Sequence, residues 1–144
     1  MNRRDVLMGA GALALAAVAK AAPKDKPAEA HRHEGAMSPL VDASAECLKK
    51  GEACQQHCFT LLGGGDTSMA SCAESVRDML ASVRSVFTLA SAGSKHTRVV
   101  AKACAELCKD CEAECRKHAD KHQPCHDCMD ACARMQQEIS KLPA

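Results

Sequence analysis

Ala101, Cys104, Cys108, Cys111, Cys115, His118 and His122 follow one another at spacings of three and four, the pattern of a single face of an α-helix. Four of the seven are cysteine. Neighbours on such a face stand about 5–6 Å apart at Cβ, close enough for two sulfurs to share one soft metal ion. The spacing recurs along Leu40, Ser44, Cys47, Gly51, Cys54, Cys58 and Leu61. It recurs again along Met69, Cys72, Val76, Met79, Val83, Val86 and Ala90, and along Cys125, Cys128, Cys132, Met135, Ile139 and Leu142. All 11 cysteines fall on these seams, a phase that scattered surface cysteines would not keep. The local motifs are C-x-x-x-C at Cys54/Cys58, Cys104/Cys108, Cys111/Cys115 and Cys128/Cys132, and C-x-x-C at Cys108/Cys111 and Cys125/Cys128.

The donor type and the spacing together select the metal. Zinc favours closed tetrahedral sites, built where loops swing four ligands around one ion. Straight helices supply pairs more readily. Cu(I) is soft, prefers thiolate and accepts two or three ligands, so a pair along one helix or across two suffices. Multiple Cu(I) ions are the expected cargo. A bis-thiolate Cu(I) unit keeps one negative charge, and bridging thiolates bring the core toward neutrality, so the expected capacity approaches the cysteine count. The expected ligands are Cys47, Cys54, Cys58, Cys72, Cys104, Cys108, Cys111, Cys115, Cys125, Cys128 and Cys132, with His118 beside them on the seam. Met79 and Met135 read as core filler.

Four helices must position these side chains. Ser38-Pro39 starts the first, with Ser38 as cap and proline in the first turn, and Gly63-Gly64-Gly65 ends it. The second is expected over 67–92, begun by Asp66 or Ser68 and closed by Gly93-Ser94. The third is expected over 95–121, broken by Gln123-Pro124, and the last runs from about Pro124 to Leu142. Short turns make an all-α, up-down-up-down bundle over 39–142 with the four seams facing one interior. Stacking the seams puts Cys58, Cys72, His118 and Cys128 at one depth, then Cys54, Cys115 and Cys132 opposite Val76, then the remaining cysteines. Val83, Phe87, Ile139, Leu142 and Leu40 gather at the far end as a hydrocarbon plug. Enough seam positions are Leu, Val, Ile and Met for the bundle to fold before metal arrives.

The 144 residues are one domain's worth, with 2 Phe and no Trp or Tyr, so something other than aromatic rings must fill the core. Residues 1–22 read as an export signal: Arg3-Arg4 precedes an apolar run from Val6 to Val18, with small residues at Ala17, Ala19, Ala21 and Ala22. The paired arginines resemble a twin-arginine signal, with Val6 where that signal usually has Phe, and point to the periplasm. The run is short for a bilayer span and no stop-transfer pattern follows it. Residues 23–38 read as a flexible lead-in whose His31-Arg32-His33 is a solvated tract. Without residues 1–22 the net charge falls from +1 to about −1, leaving no basic patch for nucleic acid or a membrane surface.

Three other readings fit less of the pattern. An oxidising compartment favours disulfide staples, but an odd cysteine count and stacks of sulfurs along one helix do not suit isolated, well-shaped pairs. An iron–sulfur carrier would need a different order of gaps, on loops. His57 beside Cys58, or His118 near Cys115, lacks an oxyanion-hole segment, an orienting partner and a substrate cleft, so no enzyme is read here.

Cys54-x-x-x-Cys58, Cys104-x-x-x-Cys108-x-x-Cys111-x-x-x-Cys115 and Cys125-x-x-Cys128-x-x-x-Cys132 resemble the bacterial copper storage proteins, in their exported twin-arginine branch. The resemblance spans Pro39 to Leu142. It implies Cu(I) thiolate binding in the core of a four-helix bundle, a polar open end where metal enters, homo-oligomers, and a store supplying copper-accepting enzymes or chaperones. That end would bear Met69, His118, His122 and His126, whose thioether and imidazole hold Cu(I) more weakly than thiolate and so suit a transit site. Cys72 is the one cysteine on the second helix, where other exported members carry more.

Overall fold

The computed structural model describes residues 37–143. The expected export signal, residues 23–36 of the lead-in and His31-Arg32-His33 lie outside the described residues. Four helices follow in order: α1 (Ser38–Gly63), α2 (Ala70–Ser91), α3 (Thr97–Arg116) and α4 (Gln123–Ser140), with a 3₁₀ turn at Thr67–Met69. Pro39 sits in the first turn of α1, where its missing N–H costs nothing, although the cap is Met37 and not Ser38. After α1, Gly65 takes φ +93°, open to glycine at no steric cost, and Asp66 accepts from Ser68 N at 3.1 Å to cap the 3₁₀ turn. At the far end of α2, Gly93 adopts φ +62° while its own N–H donates to Ala90 O and Ser94 N–H donates to Leu89 O. That pair of bonds is a Schellman closure.

Helix α3 begins two residues later than expected and stops at Arg116, five residues short of Lys121. Residues 117–122 form tight turns, with His118 N donating to Cys115 O at 3.0 Å. The physical reason is polarity: Lys117, His118, Asp120, Lys121 and His122 offer no apolar stripe, and a short polar helix beyond the end of the bundle has nothing to pack on.

Each helix packs on two neighbours in the ring α1, α2, α3, α4, and among the described residues no helix backbone comes close to the one diagonally opposite, which is met through core sulfurs alone, as at Cys54 with Cys115. Cross-helix contacts fix one antiparallel register. Between α1 and α4 it is set by Ser44 with Met135, Lys50 with Asp127, Cys54 with Cys125 and His57 with His122. Between α2 and α3 it is set by Cys72 with Cys115 and Ser82 with Cys104, and between α3 and α4 by Cys111 with Cys128. The interior is consequently layered. Leu40, Val86, Ala101 and Ile139 close one end, followed by Ser44, Val83, Cys104 and Met135, then Cys47, Met79, Cys108 and Cys132. Gly51, Val76, Cys111 and Cys128 come next, then Cys54, Cys72, Cys115 and Cys125, and last Cys58 and Met69 beneath His118 and His122.

Helix α2 therefore sits one turn from its expected depth, with Cys72 in the layer of Cys54 and Cys115 and Val76 beside Gly51, and helix α4 is displaced as well. Cys125, not Cys128, shares the layer of Cys54 and Cys72, and Cys132 lies with Cys47 and Cys108 instead of Cys54 and Cys115. The early end of α3 causes this, because the reversal centres on residues 117–122 and not on Gln123-Pro124. The plug differs in two members: Phe87 and Leu142 are only half-buried, although Leu142 still packs against the core. Phe59 is 53% exposed, so no aromatic ring enters the core.

Gly51 lets α1 and α2 close. A Cβ at this position would meet Met79 Cε at 2.7 Å and Leu80 Cδ2 at 2.8 Å, both ends of flexible side chains. In Gly51→Ala, a gain of about 1 kcal/mol in helix propensity is set against moving those ends, and the net change is expected to stay within about 1 kcal/mol of zero. Gly51→Val adds bulk that they cannot clear and is expected to destabilise the reduced apo-protein by about 1–3 kcal/mol. Urea denaturation followed by circular dichroism measures both. An unchanged midpoint for Gly51→Val would mean that the two helices do not meet at this point.

Candidate metal centre

The seams turn every cysteine inward: all eleven are free thiols with 0% exposure. They gather in clusters whose sulfurs lie within 4.8 Å of one another, namely Cys54/Cys58/Cys72/Cys125, Cys47/Cys108/Cys132, Cys54/Cys115/Cys128 and Cys111/Cys128/Cys132. Shared members join the clusters into one body of sulfur. Cys115 Sγ stands 3.7 Å from Cys72 and 3.9 Å from both Cys54 and Cys111. Cys104 belongs to no cluster of three, but its sulfur lies 3.9 Å from Cys108 and accepts from Ser82 Oγ at 3.3 Å. Since each close pair shares a sulfur with a third cysteine, the arrangement is that of a metal-sharing network and not of isolated staples.

Hydrogen bonds between the sulfurs divide the protons unequally. Cys108, helped by Cys132, donates to Cys47 and holds its thiol down at about 5. Cys111 does the same for Cys128, held at about 6. Cys115, Cys58 and Cys104 also fall below the ordinary thiol range, chiefly through Cys111, Cys125 and Cys108 respectively. The donors move the other way: Cys54, Cys72 and Cys111 are pushed up mainly by bonds to Cys115, Cys108 by Cys104, and Cys132 by Cys108. Every cluster thus contains at least one sulfur that favours the thiolate and at least one that keeps its proton for it.

Imidazoles stand at the end of the shaft formed by the α1–α2 and α3–α4 turns. His57 and His122 meet through Nε2 and Nδ1 at 3.0 Å, and the rings of His118 and His122 lie 6.4 Å apart. All three are half-buried. His118 lies beyond the last turn of α3 and joins no cluster of cysteines. Met69 is fully buried below it, whereas His126 is on the outer face of α4, 3.5 Å from Asp130. Of the residues expected at the transit end, the structure brings Met69, His118 and His122 to it and leaves His126 outside. His57, one residue before a seam cysteine in the last turns of α1, is the member that spacing alone did not select.

The sequence profile of the copper storage protein family, Csp, matches residues 32–144. The chain belongs to this family. A solved structure with the same fold is that of the copper storage protein Ccsp from Streptomyces lividans, determined loaded with 10 copper equivalents. It matches with a TM-score of 0.67 and 24% identity, over 81% of this chain and 91% of that one. No curated protein matches the chain. For a copper storage protein the clusters are cargo space, and their proton distribution sets what loading must displace.

A Cu(I) ion bound by a protonated thiol releases that proton, so each such thiol weakens apparent affinity about tenfold per pH unit lowered. Cys47 and Cys128 are ionised at pH 7, and they begin to compete with protons only as the pH falls through about 5 and about 6. Copper retention is therefore expected to fall from pH 8 to pH 5 and to steepen below about pH 6. Competition against a chelator of known pH dependence measures this, with fewer protons released at pH 7 than cysteines loaded. Affinity that does not change with pH would contradict the proton distribution.

Proposed function

We propose that the protein stores multiple Cu(I) ions on the eleven core cysteines, Cys47, Cys54, Cys58, Cys72, Cys104, Cys108, Cys111, Cys115, Cys125, Cys128 and Cys132. The observation that carries this reading is the continuity of the sulfur network: clusters of three and four thiols share members along the shaft, so a bridging thiolate can serve two ions. Family membership and the copper-loaded Streptomyces relative support it. The role is storage, with no reaction assigned. His118, together with His57 and His122, offers weaker imidazole donors at the polar end, suited to passing an ion inward.

Compartment, assembly and delivery belong to the same proposal. Arg3-Arg4 and the apolar run after it favour export through the twin-arginine route to the periplasm. Among the described residues no helix is long and apolar enough to cross a membrane. The store would work as a homo-oligomer and hand copper to enzymes or chaperones.

Titration of the reduced protein with Cu(I) beside a tight chelator tests the reading, with thiols counted on the same sample under denaturing, non-reducing conditions. Uptake approaching eleven equivalents, with nearly all thiols free beforehand and helical circular dichroism retained, is the expected result. Retention of only one or two ions would overturn it. A single free thiol with no uptake would establish five disulfides and a purely structural protein.

A further inference from the structure

Three methionines, Met69, Met79 and Met135, are fully buried among the cysteines. A methionine that merely fills space can point its sulfur in any direction. Met79 points it at a thiol: its Sδ lies 3.5 Å from Cys47 Sγ, in the layer that also holds Cys108 and Cys132. The end of the side chain is seated as well. Its Cε fills the space that a side chain at Gly51 would need, 2.7 Å from where a Cβ would stand, one helical turn from Cys47 on α1. Glycine within a helix costs about 1 kcal/mol relative to alanine, and here it opens the slot that turns the thioether sulfur toward the thiols. Met135, in the next layer, faces a hydroxyl instead, with Ser44 Oγ at 3.6 Å from its Sδ.

We propose that Met79 Sδ is a metal ligand, completing with Cys47 and one of Cys108 or Cys132 a three-coordinate, mixed thiolate–thioether Cu(I) site near the closed end of the shaft. The proposal rests on the storage reading and deepens it, and Met79 is then not filler. Thioether sulfur is among the soft donors that select Cu(I). Three sulfurs around one ion, at a metal–sulfur length of about 2.3 Å, stand about 4 Å apart. Met79 and Cys47 need to open by only about half an ångström to reach that spacing, which three rotatable side-chain bonds allow. Charge favours the mixed set. Three thiolates on one Cu(I) leave two negative charges, whereas two thiolates and a neutral thioether leave one, in a layer beyond which Cys104 supplies the last cysteine sulfur before the interior turns to hydrocarbon at Val86, Leu40 and Ile139.

Selenium-edge X-ray absorption of selenomethionine-labelled, full-length protein loaded with Cu(I) tests the assignment. A copper neighbour at bonding distance from selenium is expected in the wild type and in the double variant Met69→Leu/Met135→Leu. Its amplitude should drop in Met79→Leu, a change that nearly conserves volume. A copper-loaded wild type without that neighbour, a double variant that loses it, or a Met79→Leu protein that keeps it undiminished would each overturn the assignment while leaving storage standing. A wild type that takes up no copper would bring down the storage reading and this inference together. Should Met79→Leu fail to fold by circular dichroism, the double variant decides alone.

Discussion

Negative charge held away from water must be neutralised by something within reach, and in this core the only neutralisers are protons and the cargo itself. Among the described residues no lysine or arginine is buried, and several pair at the surface, as in Lys50 with Asp127, Lys117 with Glu114 and Arg84 with Glu52. The sulfurs therefore settle charge among themselves, Cys115 and Cys47 holding it while Cys54, Cys108 and Cys132 donate. Such a network has two consistent states, one filled with shared protons and one filled with soft metal. Both satisfy the same buried atoms, which is why the bundle can keep one fold through loading.

The helical frame exists to hold that network in place. With the backbones of diagonal helices held apart, the axis of the bundle is left to side chains, and the residues that meet there are mostly small: cysteine, alanine, serine and glycine beside a few valines and methionines. An aromatic ring would bridge the shaft and cut the chain of sulfurs. Both phenylalanines lie outside the core, Phe59 on the surface and Phe87 half-buried. Stability comes instead from close helix packing over the whole length and from the aliphatic layer at one end.

Periodicity in the sequence identified nearly every inward-facing residue, because a spacing of three and four fixes which face of a helix looks inward. All eleven cysteines, Ser44, Gly51, Val76, Met79 and Met135 are buried as their seams required. Periodicity does not fix axial offset. That offset depends on where α3 stops, and the polar run from Lys117 to His122, similar in composition to an exposed helix end, concealed a reversal; Cys128 and Cys132 were each placed out of position as a result. His57 was missed for a related reason, since it approaches His122 from beside its seam. The directed sulfur of Met79 was illegible because a thioether and a hydrocarbon of equal size give the same pattern.

The aliphatic layer of Leu40, Val86, Ala101 and Ile139 closes one end, while the histidines stand at the other. A shaft with a single polar opening behaves as a stack. Ions near Cys58 exchange with the surroundings directly, whereas those beside Cys47 and Cys104 leave only by stepping across the sulfurs above them. Residence time would then grow with depth, and a protein whose core donors are nearly all thiols would hold both a quickly exchanging and a slowly exchanging pool of metal.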